Sequence, residues 1–233
     1  MRQLLSRPAF QPFWLQLLKL CHAGMNYGGG QSVAMSGELQ ALAFVQRSLM
    51  RSTPLLVFDV GANGGDYLQA VFTVFGQDVR DYSFEPQSSS FLELQSHFGG
   101  DPRAVLRNEA LGKELTSVDL FFTNDGESTA SLRRPGPVGA ARSESVYMTT
   151  VDQVCRDEGI DRIDLLKIDT EGHEMDVLLG AHDMMEANRI SSIQFEFGET
   201  FLATDYHFCD IFDLLSPRYR IYRILRHGLF ELP

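Results

Sequence analysis

A short apolar run followed at once by a cluster of glycines constrains this chain more than any other feature. Residues 55–60 are mostly apolar, and the run is too short for a helix and typical of a buried strand. Gly61, Gly64 and Gly65 come directly after it, and residues 67–75 carry apolar side chains at helical spacing. A strand, a glycine turn and a helix bring a ligand against bare backbone at a helix N-terminus. The stretch therefore predicts a ligand-binding turn.

The glycine spacing and one acidic residue narrow the kind of ligand. The dinucleotide pattern G-x-G-x-x-G is absent, since the order here is G-x-x-G-G. Asp59 precedes the first glycine, and a carboxylate at that point would repel a pyrophosphate but would suit an ammonium or sulfonium group. A tight strand-to-helix turn that binds nothing is the alternative interpretation.

From residue 54 onward, strand-like runs alternate with helical patterns. This alternation predicts an α/β fold with a doubly wound, mostly parallel sheet. Residues 118–122 alternate weakly and predict an antiparallel excursion from that sheet. We expect residues 54–233 to form the ligand-binding domain and residues 1–53 to form an N-terminal helical segment.

The N-terminal segment has two possible roles. It is either a helical cap packed on the sheet or a lid over the glycine turn, with Tyr27 and residues 28–30 near the ligand. Residues 12–20 predict an amphipathic helix. Gln16 and Lys19 interrupt the apolar run, which argues against a signal peptide, and the run is too short for a membrane span.

Charge and cysteine usage exclude several functional classes. The net charge is −11 and there is no long basic run, which disfavours nucleic acid as the main partner. Cys21, Cys155 and Cys209 are odd in number and far apart, so neither a disulfide framework nor a zinc site is predicted. This pattern fits a reducing compartment and predicts a cytoplasmic protein.

Two later strands of the predicted sheet end in residues suited to an adenosyl ligand. Glu85 ends the second strand, where a carboxylate can accept hydrogen bonds from both ribose hydroxyls. Asn108, Glu109 and Ala110 follow the third strand, beside the expected adenine pocket. A solvated carboxylate at a strand end is the alternative for Glu85.

A second informative stretch, residues 163–174, concentrates charge at the end of a strand. The period of a strand places Lys167 and Asp169 on one face, and Glu171 as well if the strand continues that far. Their apolar neighbours predict that Lys167 and Asp169 are partly buried and paired. Such sheets place their sites at the carboxyl ends of strands. A structural ion pair beside acids at a helix start is the alternative.

A long segment, residues 124–145, is rich in glycine, proline and arginine. Loops of this length in compact domains are often functional, and Arg133, Arg134 and Arg142 could hold a carboxylate or phosphate of the acceptor. A mobile polar loop is the equally supported alternative.

The order of these motifs resembles the FkbM family of methyltransferases that use S-adenosylmethionine (SAM). The matching pieces span residues 54 to 200 and are residues 58–63, 84–86, 108–112, 128–129 and 167–174, with Glu196 and Glu199 matching less specifically. The first piece is also similar to motif I of class I SAM methyltransferases. The resemblance implies a Rossmann-like fold and O-methylation of a hydroxyl on a small molecule, sugar or glycan.

The resemblance also implies an arrangement for the cofactor. The methionine part would face Gly61, Ala62, Asn63 and Gly65, with Asp59 near its positive end. The ribose would face Glu85, and the adenine would face Asn108, Glu109 and Ala110. Asp169 would contribute to the same pocket.

Transfer to an alcohol needs a base, because a hydroxyl is a poor nucleophile. Asp169, Glu171 and His173 are candidates, with Lys167 beside them, although the resemblance does not support His173. Alternatively, Asp169 and Glu171 could hold a Mg²⁺ ion that acidifies the hydroxyl. The rival functions are an NAD(P)-dependent oxidoreductase on a similar fold and a non-catalytic binding protein.

Overall fold

The computed structural model describes residues 5–27, 32–49, 54–122, 142–198, 200–201 and 204–233. The chain divides into two compact units. The smaller unit comprises Met1–Phe44 and Tyr222–Pro233, and the larger comprises Val45–Ile221. The expected division between residues 53 and 54 stays a prediction.

The strands of the described residues are numbered in chain order. They are β1 (Leu55–Val60), β2 (Val79–Phe84), β3 (Ala104–Arg107), β4 (Ala110–Leu111), β5 (Thr116–Phe122), β6 (Arg142–Thr149), β7 (Leu165–Ile168), β8 (Ile193–Phe195), β9 (Tyr222–Leu225) and β10 (Gly228–Glu231). The α-helices are α1 (Gln11–Gly24), α2 (Val33–Ser36), α3 (Glu38–Ser48), α4 (Asp66–Phe75), α5 (Ser88–Phe98), α6 (Val151–Glu158), α7 (Glu174–Leu179), α8 (His182–Glu186) and α9 (Phe208–Leu215).

The larger unit is built on a five-stranded sheet of order β3-β2-β1-β7-β8, in which every pairing is parallel. Helices flank this sheet, so the predicted α/β, Rossmann-like fold is confirmed. The apolar run at residues 55–60 becomes the central strand because its side chains are buried on both faces, as parallel strands require. Phe58, Phe84, Leu166 and Ile168 are completely buried in the core.

The strand order fixes where a ligand can bind. The sheet grows from β1 to β2 on one side and from β1 to β7 on the other, so the order reverses at β1. A crevice opens outside the carboxyl ends of the strands at such a switch point, and open α/β sheets bind ligands there. The glycine turn lies directly at this point.

A second, three-stranded sheet follows β3. In it β5 and β6 are antiparallel and β4 runs parallel to β6, which confirms the predicted antiparallel excursion. Arg142 is the first residue of β6. Ser128, Thr129, Arg133 and Arg134 lie outside the described residues, as does Glu199, so their suggested roles stay predictions.

The smaller unit contains α1, α2 and the β9–β10 hairpin. The helix predicted at residues 12–20 is confirmed and extends over Gln11–Gly24. Asn26 Nδ2 donates to the carbonyls of Ser36 (2.6 Å) and Ile224 (3.3 Å), which links the helical segment to the hairpin within this unit. Over the described ranges, none of the helices has both the length and the apolar character needed to cross a bilayer. The lid interpretation stays a prediction, and residues 28–30 lie outside the described ranges.

Candidate active site

The glycine turn, Gly61–Gly65, follows β1 in a conformation that needs glycine. Gly61 has φ of +81° and Gly65 has φ of +97°, both in the left-handed region that ordinary residues avoid. A Cβ added to Gly61 would overlap the carbonyl oxygen of Asp169, and one added to Gly65 would lie 2.5 Å from the Phe98 ring. Gly61 and Gly65 therefore have to be glycine, because neighbouring groups already occupy the positions that their Cβ atoms would take.

Glu85 ties the glycine turn to the end of β2. The N–H of Asn63 donates to its Oε2 at 2.8 Å, and the N–H of Gln87 donates to its Oε1 at 2.8 Å. Burial raises the pKa of Glu85 to about 7, against the lowering effect of these backbone donors. The sequence predicted that Glu85 lies at the end of a strand beside the turn, and the structure places it there.

The strand register brings distant polar side chains into one line across the sheet. Asp59 of β1 is opposite Ser83 of β2 on one side and Lys167 of β7 on the other, and Lys167 is opposite Gln194 of β8. We call these four residues the polar row. They share one face of the sheet because side chains opposite each other in parallel strands point the same way.

A second line lies two residues further along the same face, just beyond the strands. It consists of Glu85, Gly61, Asp169 and Glu196, and we call it the edge row. The backbone ladder continues to these positions, since Asp169 N–H donates to Val60 O at 2.9 Å and Glu196 N–H donates to Ile168 O at 3.0 Å. The edge row thus has carboxyl groups on both sides of a glycine that has no side chain.

Lys167 belongs to the polar row, and its ammonium also contacts two members of the edge row, Gly61 and Asp169. Its Nζ lies 3.0 Å from Asp59 Oδ1, 3.2 Å from the Gly61 carbonyl oxygen and 3.5 Å from Asp169 Oδ2. The predicted pairing of Lys167 with Asp169 is confirmed, and Asp59 is the nearer partner. Because Asp59 is fully buried and the Lys167 side chain is only 4% exposed, each charge depends on the other for compensation.

Two buried aspartates, Asp59 of β1 and Asp81 of β2, lie on one face of neighbouring strands, offset by two residues in register. Burial raises the pKa of Asp59, although the ammonium of Lys167 opposes the shift. Burial and then repulsion from Asp59 raise the pKa of Asp81 well above its ordinary value. Asp81 is completely buried, and Ser83 Oγ donates to its Oδ1 at 2.6 Å. The folded protein therefore favours a protonated carboxyl at Asp81.

Replacing Asp81 with asparagine should stabilise the protein at neutral pH. Between the ordinary carboxyl pKa and the raised folded value, the folded state holds a proton that the unfolded chain has released. Stability contributed by Asp81 is therefore present at low pH and is lost as pH rises through that window. Asp81→Asn removes this loss and should raise the free energy of unfolding, by more at pH 8 than at pH 5.

Urea denaturation of both proteins from pH 5 to pH 8 measures this effect. Carboxyls that do not interact with Asp81 titrate equally in the two proteins, so the difference between their curves reports on Asp81 together with Asp59, the carboxyl that repels it. A difference that stays flat across the pH range would show that Asp81 is ionised in the folded state.

Two glutamates on the other side of Gly61 from Glu85, Glu171 and Glu196, also have raised pKa values. Loss of hydration, followed by repulsion from Asp169, raises the pKa of Glu171 to about 7. The same two causes raise the pKa of Glu196 to about 8, although this residue is open to solvent at the strand end. Asp169 is intermediate in exposure, with 35% of its side chain accessible. Because of these raised pKa values, Glu171 and Glu196 hold protons near neutral pH.

Glu171 does not continue the strand alternation. β7 ends at Ile168, and Glu171 has φ of +53° in the left-handed region. Glu174 holds the connecting loop, because its Oε1 accepts from the N–H groups of Thr170 (3.0 Å) and Gly172 (3.2 Å). The charged stretch therefore contains candidate site residues and also Glu174, which holds the backbone of the loop in place.

His173 contacts the following helix. Its Nδ1 lies 3.3 Å from Asp176 Oδ2, and Lys113 Nζ lies 3.4 Å from Asp176 Oδ1. These contacts lower the pKa of Asp176, with the bond to His173 as the largest cause. Neither contact places His173 in the edge row, and its role as a base stays a prediction.

The residues predicted for the adenine pocket follow β3, next to β2. Asn108 is exposed, and its Nδ2 donates to the backbone carbonyls of Glu85 (2.9 Å) and Pro86 (3.1 Å). Glu109 Oε1 pairs with Arg107 Nε at 2.7 Å, and Ala110 is buried. Asn108 therefore fixes the backbone beside Glu85, and adenine contacts by these three residues stay predictions.

The donor set does not fit a metal ion. Over the ranges that the structure describes, no three His, Cys, Asp or Glu side chains are arranged to hold a metal. The suggested Mg²⁺ site at Asp169 and Glu171 therefore finds no support.

Sequence reasoning missed four members of this site. Asp81, Ser83 and Gln194 were not predicted as site residues, and Tyr67 was only an apolar position of a predicted helix. Tyr67 is 4% exposed, and its hydroxyl donates to Gln194 Oε1 at 3.0 Å. The alternation of β8 indicates that Gln194 lies on the opposite face from its apolar neighbours. Only the register between β7 and β8 shows that it is opposite Lys167.

Comparison with known proteins identifies the family. A family model for the methyltransferase FkbM domain matches residues 59–224. The curated 2-O-methyltransferase NoeI of Sinorhizobium fredii (strain NBRC 101917 / NGR234) is 24% identical over 161 residues, which cover 61% of this chain and 63% of that protein. The chain thus spans less than two thirds of the length of this curated relative.

Two solved methyltransferase structures are among the similar chains. Methyltransferase FkbM from Methylobacillus flagellatus KT has a TM-score of 0.44 and 18% identity, with 65% of this chain and 36% of that chain covered. The plantazolicin methyltransferase BpumL in complex with SAH has a TM-score of 0.44 and 10% identity, with 94% of this chain and 74% of that chain covered. Since the family model matches more than half of the residues, from Asp59 through the charged stretch, the chain belongs to the FkbM methyltransferase domain family.

Proposed function

We propose that this protein transfers the methyl group of SAM to a hydroxyl oxygen of a small molecule or sugar. Family membership supports methyl transfer, and the 2-O-methyltransferase NoeI supports a hydroxyl acceptor. The arrangement of the edge row supports the use of an adenosyl cofactor.

The observation that carries the proposal is the position of the Glu85 carboxylate against the glycine turn. An ionised carboxylate has about four lone-pair positions. Two of them accept the N–H groups of Asn63 and Gln87. The two that remain suit the two neighbouring hydroxyls of a ribose.

The glycine turn would hold the methionine part of the cofactor. Gly61 lies against the Asp169 carbonyl and Gly65 lies against the Phe98 ring, and α4 begins immediately after the turn. A helix N-terminus favours a carboxylate such as that of methionine. Asp59 would act beneath this part of the cofactor, and residues 108–110 would border the adenine.

Asp169 is the residue that we assign as the base. SAM supplies an electrophilic methyl group when it is bound. Asp169 lies next to Gly61 in the edge row with part of its carboxylate accessible, so it can accept the hydroxyl proton while the oxygen gains the methyl group. Glu171 and His173 are the alternatives. Holding the acceptor and the methyl group in line supplies much of the rate.

The direct test incubates the protein with methyl-labelled SAM and a panel of simple methyl glycosides, followed by mass spectrometry. We expect one labelled methyl group on a hydroxyl oxygen of the product. Asp169→Asn should lower this rate by about 100-fold or more while SAM affinity stays within about twofold. Binding of NADH in place of SAM would instead support an oxidoreductase, and no SAM binding would support a non-catalytic protein.

Glu85→Gln should weaken binding of S-adenosylhomocysteine by about 10- to 100-fold, since charged hydrogen bonds to the ribose are lost. Calorimetry should be repeated with the 2′,3′-dideoxy analogue. The wild-type protein should bind the analogue much more weakly than the parent, whereas Glu85→Gln should bind the two alike. Equal discrimination by both proteins would mean that Glu85 does not contact the ribose.

A further inference from the structure

Tyr67 lies between the glycine turn and the strands β7 and β8 of the sheet, and it contacts Lys167 and Gln194. It lies in the first turn of α4, two residues after the last glycine of the glycine turn, and only 4% of it is exposed. A buried tyrosine brings a large apolar surface together with one polar group that needs a partner. Both parts of this side chain meet members of the polar row.

The ring of Tyr67 covers the ammonium of Lys167. The Nζ atom lies 5.1 Å from the ring centroid, within the range of a cation–π interaction. The same ammonium contacts the Gly61 carbonyl oxygen and the carboxylate of Asp59. By covering Nζ, the ring keeps water from competing for these contacts, and it favours the ammonium position that holds the Gly61 carbonyl.

The hydroxyl of Tyr67 reaches across to the last strand of the sheet. It donates to Gln194 Oε1 at 3.0 Å, and Gln194 is opposite Lys167 in the register of β7 and β8. This bond ties the start of α4 to β8, with Lys167 held between them. The helix that begins at the glycine turn is thereby fixed to β8, the strand that ends directly before Glu196.

We propose that Tyr67 is a positioning residue for the adenosyl cofactor, which keeps Lys167 on the Gly61 carbonyl and so holds the glycine turn in its binding conformation. The inference rests on the proposed function. The ring does this by covering the ammonium, and the hydroxyl does it by fixing the ring through Gln194.

Calorimetric affinity for S-adenosylhomocysteine and the free energy of unfolding in urea together test this inference. Tyr67→Phe keeps the ring and should weaken the affinity by about 3- to 10-fold, the effect of one neutral hydrogen bond. Tyr67→Leu also loses the ring and should weaken it by about 10- to 30-fold. Gln194→Met should weaken the affinity for S-adenosylhomocysteine as much as Tyr67→Phe does. The variant with both changes should bind S-adenosylhomocysteine no more weakly than either single variant.

Tyr82→Phe is the matched control. Tyr82 is a buried tyrosine of β2, 3% exposed, and it lies opposite Phe58 on the other face of the sheet. This variant should lose stability like Tyr67→Phe but should bind S-adenosylhomocysteine as the wild type does. A purely structural Tyr67 would behave in the same way as this control.

The outcomes separate the inference from the proposed function. If the wild-type protein does not bind S-adenosylhomocysteine, both are wrong. If it binds and the Tyr67 variants bind equally well, only the positioning role is wrong. Strictly additive effects of Tyr67→Phe and Gln194→Met would also overturn it, because the two side chains would then act independently.

Discussion

Gly61→Ala should abolish measurable binding of S-adenosylhomocysteine and destabilise the protein. The new methyl group would overlap the carbonyl oxygen of Asp169, and alanine would have to adopt φ of +81°. A strained backbone conformation costs about 1–3 kcal/mol, and overpacking typically adds about 1–3 kcal/mol. Relief of the overlap would separate β1 from β7 at the point where the cofactor is proposed to bind. Calorimetry and urea denaturation measure the two effects.

Gly159→Ala provides the control for strain alone. Gly159 has φ of +64°, but a Cβ added there would meet no atom within 4 Å. This variant should lose about 1 kcal/mol of stability and retain full cofactor affinity. Similar behaviour of the two alanine variants would show that the contact between Gly61 and Asp169 is unimportant.

Lys167→Met should destabilise the protein by about 3–5 kcal/mol, the usual result of leaving one partner of a buried ion pair uncompensated. The substitution leaves Asp59 fully buried without its ammonium. The pKa of Asp59, already raised by burial, would rise further, so the stability loss should be smaller at pH 5 and larger at pH 8. Urea denaturation at both pH values gives the comparison.

The double variant Lys167→Met with Asp59→Asn supplies the control for this effect. Removing both charges should restore much of the stability that Lys167→Met loses. The difference between the stability losses at pH 5 and pH 8 should also largely disappear. It should not restore cofactor affinity, because the contact to the Gly61 carbonyl is still missing. Additive losses in the double variant would show that Asp59 and Lys167 do not act as a pair.

The sequence predicted the parts of this molecule that depend on local pattern. The strand at residues 55–60 could be found because an apolar run meets a cluster of glycines. The pairing of Lys167 with Asp169 followed from strand alternation within a single strand. The position of Glu85 at the end of β2 followed from its place as the last residue of the predicted second strand.

The contacts that the sequence did not predict depend on register between strands. Lys167 and Gly61 are 106 residues apart, and only the pairing of β7 with β1 brings them together. Asp81 is a polar residue in a strand, and nothing in one sequence distinguishes its complete burial from a solvated position. Glu171 leaves the alternation because its backbone turns into the left-handed region, which a strand pattern does not reveal.

A crystal structure of the protein with S-adenosylhomocysteine is the most direct test of the central claim. We expect both ribose hydroxyls within about 2.6–3.2 Å of the Glu85 carboxylate, the amino-acid part against Gly61–Gly65, and the sulfur on the side of Gly61 that faces Asp169. Ligand density away from the carboxyl end of β1, or a ribose that does not contact Glu85, would contradict the account.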